Sequence, residues 1–147
     1  MKPFRIISTL LLLVLFIGLL SGCRQDDHGF TGVSSQEFFS RHLHLLEADS
    51  AVVIDGRTRE MYLGGHLKNA INIDADQEGL TALLREYADE PLIVVYCTTN
   101  RRTGRILKAL EGFYEGKVIY INDGIQGWRQ NGFPLSMVSE SDPESSP

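Results

Sequence analysis

Four short apolar runs, at residues 51–54, 70–73, 92–96 and 117–121, recur through the middle of the chain with helix-forming segments between them. Each run has the length and near-continuous apolar character of a strand buried on both faces, unlike the alternating pattern of a half-exposed strand. Between and after the runs the sequence predicts helices over residues 78–87, 103–110 and 125–131, the last followed by Gly132 and Pro134, residue types that end helices. Another helix is expected after Ser34. There Ser34-Ser35-Gln36-Glu37 has the form of a capping box, and apolar Phe38, Phe39, Leu43, Leu45 and Leu46 follow it. Strand and helix in alternation argue an α/β fold, a parallel sheet of four to five strands with helices on both faces. In such sheets ligands bind beyond the carboxyl ends of the strands.

The chain has 147 residues, 43% hydrophobic and 22% charged, enough for one domain with attachments and too few for two. A net charge of -5 disfavours an electrostatic nucleic-acid footprint, so small molecules or proteins are the expected partners, with no nucleic acid among them. Lys2 and Arg5 precede an apolar stretch over residues 6–20, the layout of a secretory leader. That stretch is short against the ~20 residues a spanning helix needs. Leu20-Ser21-Gly22-Cys23 resembles the lipobox of bacterial lipoproteins, which implies cleavage before Cys23 and lipidation of its sulfur. The expected organisation is a signal peptide at 1–22, a linker at 23–32 running from lipidated Cys23, a folded domain at 33–137, and a disordered tail at 138–147. The same resemblance implies a lipid-anchored protein of the cell envelope facing the periplasm or the extracytoplasmic side. Arg24, where an Asp would suggest inner-membrane retention, favours the outer membrane. With Cys23 committed to lipid, Cys97 is left as the one free thiol and no internal disulfide can form.

Cys97 falls directly after the apolar run at 92–96, where a parallel sheet presents its ligand-binding edge. Position alone leaves two readings open, because free cysteine is also among the most buried residue types. The neighbouring charges favour the functional reading. The amino end of a helix carries partial positive charge and ordinarily takes Asp or Glu, yet Arg101, Arg102 and Arg105 crowd this one. An anionic ligand or a thiolate would compensate them; the alternative is that they extend into water or pair with acidic neighbours. Cationic groups and helix-end N–H groups favour thiolate over thiol, and thiolate is the nucleophile.

These residues resemble the rhodanese-like family of sulfurtransferases. Asp55-Gly56-Arg57 is similar to its D-x-R strand end, and residues 60–67 (EMYLGGHL) are similar to its E-[YF]-x-x-G-H-I stretch with one residue added. Cys97 to Arg102 is similar to its active-site loop C-x-x-G-x-R, and residues 123–134 (DGIQGWRQNGFP) to its closing G-G-x-x-x-W-x-x-x-G-x-P. Two positions depart. Asn100 stands where the family has Gly, and a left-handed conformation there would be tolerated by Asn better than by most residues. Asp123 replaces the first glycine of the closing motif, with no role evident from sequence. The family resemblance associates six-residue loops with sulfur transfer and C-x5-R loops with phosphatase relatives; Arg102 closes six, and the next residue is Thr103.

The resemblance implies a Cys97 nucleophile that takes sulfur from thiosulfate or a persulfide and passes it to a thiol, on a protein or otherwise, or to cyanide. It assigns Arg102 a catalytic role in holding the anionic donor. Donor contacts are expected from Thr98, Thr99, Asn100, Arg101 and Thr103, with structural support from Asp55 and Arg57. His66 is expected to be a satisfied turn residue and Trp128 a core residue. No cofactor is implied and no metal site is visible: His42 and His44, two apart on a helix, cannot face one ligand together. The competing reading is a catalytically idle module of the same family that binds a partner or senses redox state through Cys97.

Overall fold

A computed structural model describes residues 29–47 and 51–137. The leader at 1–22, Cys23 and the tail at 138–147 lie outside the described residues. The elements run β1 (Phe30–Val33), α1 (Ser35–His42) continued by a 3₁₀ turn (Leu43–Leu46), β2 (Val52–Asp55), α2 (Arg59–Leu63), β3 (Ala70–Asn72), α3 (Leu80–Leu84) with a 3₁₀ turn (Arg85–Tyr87), β4 (Leu92–Tyr96), α4 (Arg101–Leu110), β5 (Lys117–Ile121) and α5 (Gly124–Gln130). The five strands form one sheet in the order β1-β5-β4-β2-β3, and every pairing is parallel.

β4 lies at the centre and carries the alternation that builds two cores. Val94 and Tyr96 pack on one face with Phe38, Leu45, Leu46, Ile125 and Trp128, so α1 and α5 cover that side. Ile93 and Val95 pack on the other with Leu84, Ile106 and Leu110, so α3 and α4 cover the opposite side. Burial on both faces is why the run at 92–96 is apolar at every position but the last. Trp128 is a core residue: it is 1% exposed, meets Phe39 and Phe133 edge-on, and donates its Nε1–H to the Pro134 carbonyl at 2.8 Å.

Several boundaries differ from the sequence expectation. Phe30–Val33 is a strand on the sheet edge beside β5, so the linker cannot reach residue 32. α2 has no counterpart in the expected pattern and buries none of its residues. α3 starts at Leu80, because Gly79 adopts φ 74° and stops the helix from extending back to Glu78. α4 starts two residues earlier than expected, which places Arg101 and Arg102 in its first turn. α5 starts one residue earlier and ends at Gln130, with Asn131 as its C-cap. At α1 only half of the capping box forms. Ser34 Oγ accepts the Glu37 N–H at 3.1 Å, while the Glu37 carboxylate reaches forward to Arg41 rather than back to Ser34.

Candidate active site

The strand order makes the gap between β2 and β4 a switch point: from β2 the chain passes outward to β3, and from β4 it passes the other way to β5. Cys97 follows β4 at this gap and Gly56 follows β2. The Gly56 N–H donates to the Tyr96 carbonyl at 2.8 Å, and a β-carbon on Gly56 would lie 3.7 Å from Cys97 Cβ. Cys97 is a free thiol, 2% exposed. Its wall toward β2 is therefore bare backbone.

Residues 98–100 form the loop that leads into α4. Two main-chain hydrogen bonds hold its base: the Ile125 N–H donates to the Cys97 carbonyl at 2.9 Å and the Gln126 N–H to the Thr98 carbonyl at 3.1 Å. The start of α5 is thus spent on bracing the loop. This approach requires Gly124, which has φ 58° and whose missing β-carbon would collide with the Cys97 carbonyl oxygen and stand 2.7 Å from that of Thr98.

At the other end of the loop, the Gly104 N–H bonds the Asn100 carbonyl at 3.2 Å, leaving the N–H groups of Arg101, Arg102 and Thr103 ahead of the helical ladder. Asn100 has φ -136° and does not cap with its side chain, so the left-handed conformation considered for it is not used. The missing family glycine costs no backbone strain here. Thr98 and Thr99 remain on the loop, with Thr98 Oγ1 3.9 Å from Met61 Sδ, a side chain standing exposed on α2. Thr103 is fully buried, and its hydroxyl is the one buried side-chain polar atom among the described residues without a hydrogen-bond partner. A buried hydroxyl without a partner costs the free energy of its desolvation.

The arginines have an acidic neighbour that sequence reading missed. Arg102 Nε donates to Asp76 Oδ2 at 2.7 Å, and Arg105 pairs with the other oxygen of the same carboxylate. Asp76 lies in the turn after β3. Its carboxyl is held below the ordinary carboxylate range, first by the Arg102 hydrogen bond and further by the charges of Arg102, Arg105 and Arg101. The compensation expected from a ligand is therefore supplied in part by the protein, and Arg102 is not a free cation. No local signal reveals the partner, since Asp76 and Arg102 are joined only by the β3 and β4 crossover.

Beneath the gap lies a buried network. The Asp55 carboxylate accepts Arg57 Nε at 2.9 Å, Arg57 Nη2 at 2.6 Å, the Arg57 main-chain N–H at 3.0 Å and the Tyr96 hydroxyl at 2.6 Å. Arg57 Nη2 also donates to the Gly65 carbonyl at 2.7 Å, and the Tyr96 oxygen accepts the Leu67 N–H at 3.1 Å. Asp55 and Arg57 thus tie β2, β4 and the segment after α2 together, and their side-chain hydrogen bonds go to one another, Tyr96 and Gly65. Burial opposes the Arg57 charge, but the hydrogen bond and charge of Asp55 outweigh it and raise the guanidinium pKa. Burial, followed by the Asp55 charge, pushes the Tyr96 hydroxyl well above its ordinary range and keeps it a donor.

Asp123 has a role as well: Oδ1 accepts the Ser35 N–H at 2.7 Å and Oδ2 the Ser35 hydroxyl at 2.8 Å, fastening the start of α1 to the start of α5. The carboxylate occupies the space where a Gly127 side chain would stand. His66 is a satisfied turn residue, 7% exposed, with Nδ1 3.1 Å from the Tyr62 carbonyl and its ring stacked on Tyr62. Among the described residues no group of His, Cys, Asp or Glu is placed to hold a metal ion, and no helix is long and apolar enough to cross a membrane.

Residues 39–131 match the model of the Rhodanese-like domain. The tRNA uridine(34) hydroxylase of Salmonella heidelberg (strain SL476) is 33% identical over 106 residues, covering 66% of this chain. The chain spans only 30% of the length of such curated relatives. Among solved structures, thiosulfate sulfurtransferase from Pseudomonas aeruginosa aligns with TM-score 0.60 and 21% identity over 75% of this chain and 21% of its own. A rhodanese-like domain protein from Staphylococcus aureus aligns with TM-score 0.59 and 21% identity over 74% of this chain and 99% of its own. These structures share the α/β fold with its five-stranded parallel sheet. A family model covering more than half the chain, on a fold that seats Cys97 at the switch point, shows that this chain belongs to the rhodanese-like domain family.

Proposed function

We propose that the protein is a sulfurtransferase whose Cys97 thiolate attacks the outer sulfur of thiosulfate or of a persulfide. The sulfur–sulfur bond of the donor breaks, sulfite or a thiolate leaves with the bonding pair, and Cys97 becomes a persulfide. A thiol acceptor, as its thiolate, or cyanide then attacks the terminal sulfur, which returns the Cys97 thiolate. The observation that carries this reading is the position of Cys97: strand end, switch point, and a six-residue loop running to Arg102 at the start of α4. The N–H groups of Arg101, Arg102 and Thr103, ahead of the helical ladder, suit an anion. From the tRNA uridine(34) hydroxylases the proposal takes only the shared domain. The lipobox-like Cys23 would place this chemistry at the membrane surface of the cell envelope.

An idle or redox-sensing module is the second reading; the burial of Cys97 and the pairing of Arg102 with Asp76 favour its idle form. Sulfite release separates the two. Reduced protein mixed with thiosulfate and no acceptor should liberate one equivalent of sulfite, and adding cyanide or a thiol should turn this burst into continuous release. Absence of the burst with thiosulfate, and of acceptor persulfidation with a persulfide donor, would leave the second reading in place.

A further inference from the structure

Asp76 sits where an anion-binding site would gain nothing from a carboxylate. Its turn is fixed by its own geometry: the Asp76 N–H donates to Asp74 Oδ1 at 2.9 Å, and the Ala75 N–H donates to the Gly56 carbonyl at 3.3 Å. Gly56 is the residue whose bare backbone faces Cys97. On its other side Asp76 holds Arg102, the residue closing the Cys97 loop, together with Arg105. The carboxylate is thus tied to the thiol's surroundings from both directions, at the carboxyl edge of the sheet. The side chains of Arg102 and Asp76 are 18% and 34% exposed, so both sit at the water boundary and neither is sealed inside.

We propose that Asp76 sets the charge selectivity of the Cys97 site, weakening the capture of doubly charged sulfur donors such as thiosulfate relative to singly charged ones such as alkanethiosulfonate anions and low-charge persulfides. This inference rests on the sulfurtransferase reading and narrows its donor class. The physical basis is that an incoming ion feels a fixed charge in proportion to its own. Removing one negative charge multiplies the capture of a monoanion by some factor, that of a dianion by the square of it, and that of a neutral reagent not at all. If the separation is taken as ~10 Å and the effective dielectric constant as roughly 40–80, the factor is about 2–4. A residue that only shaped the backbone of the loop would change all three alike, and Asp76→Asn leaves Arg102 its hydrogen-bond acceptor, so the charge is what the variant removes.

The donor chemistry balances in either case. Thiosulfate passes its outer sulfur to the Cys97 thiolate and leaves as sulfite, while methanethiosulfonate passes the same sulfur and leaves as methanesulfinate. Asp76→Asn removes the charge and keeps an oxygen that can accept from Arg102 Nε, so the arginine retains its hydrogen bond. Asp76→Glu keeps the charge and serves as the conservative control.

The test begins with alkylation of Cys97, which needs no sulfur transfer. Rates with iodoacetate and with iodoacetamide are measured for the full chain and both variants at low salt and at high salt. In Asp76→Asn the iodoacetate-to-iodoacetamide rate ratio should rise about 2–4-fold at low salt, and the gain should shrink at high salt as screening shortens the reach of the charge. In Asp76→Glu the ratio should stay at its wild-type value. The thiosulfate-to-methanethiosulfonate ratio of kcat/KM should rise by a similar factor in Asp76→Asn, expressed mainly in KM. An unchanged alkylation ratio, or equal changes with both reagents, overturns the proposal while leaving sulfur transfer itself intact. A shifted alkylation ratio in a protein whose Cys97 takes up no sulfur from thiosulfate, methanethiosulfonate or a persulfide supports charge control at Cys97 and instead refutes the sulfurtransferase reading. If neither reagent reaches Cys97, the proposal falls.

Discussion

Arg57→Ala should lower the free energy of unfolding by about 3–5 kcal/mol, the usual cost of removing one partner of a buried ion pair. Asp55 is fully buried, and without Arg57 its carboxylate keeps only the Tyr96 hydroxyl and one main-chain N–H. The Gly65 carbonyl loses a partner at the same time. The penalty comes from the charge left behind, so Arg57→Lys should fall between Ala and wild type: a single ammonium restores charge, but cannot fork to both Asp55 and Gly65 as the guanidinium does. Urea titration reads the effect as a shift in midpoint at constant slope. A loss below about 1 kcal/mol would show that the network is solvated and does not brace the strand ends.

Gly124→Ala should slow sulfur transfer about 100-fold, because the added carbon needs the space held by the carbonyl oxygens of Cys97 and Thr98. Either the loop or α5 must yield, and with it the hydrogen bonds from the Ile125 and Gln126 N–H groups that set the height of the loop. Gly132→Ala separates this collision from simple backbone strain. Gly132 also has a positive φ, 71°, but a β-carbon there meets nothing within 4 Å. Its substitution should cost only the roughly 1–2 kcal/mol of the left-handed conformation and leave the rate of sulfite release near wild type. Equal rates for the two variants would contradict the assignment of Gly124 as the spacer beneath the loop.

Much of the fold was legible because β4 and β5 are short, apolar and bounded, and burial on both faces leaves such strands little freedom of composition. β1 was not legible for the converse reason. It is an edge strand of four residues whose middle pair is exposed, so Phe30-Thr31-Gly32-Val33 has the composition of a linker. α2 escaped notice because it is five residues long and only Tyr62 packs against the core, too little for a helical period to read. At the site, Cys97 and its loop could be located from the chain, since strand, loop and helix are contiguous. Asp76 and the Ser35 partner of Asp123 could not: each contact joins residues far apart in sequence, and only the strand order brings them together. The same gap explains why the arginines of α4 looked uncompensated. The orphaned Thr103 hydroxyl is likewise invisible until burial and hydrogen bonds are known.

The central claim is that Cys97 carries sulfur as a covalent intermediate, and intact-mass measurement addresses it without reference to any acceptor. Residues 24–147 are reduced, exposed to thiosulfate, freed of excess donor and weighed beside Cys97→Ser treated in the same way. The account predicts a gain of one sulfur atom on the wild-type chain, none on Cys97→Ser, and its loss when a thiol or cyanide is added. A wild-type chain that gains no sulfur from thiosulfate or from a persulfide donor, while Cys97 still reacts with an alkylating reagent, would contradict it.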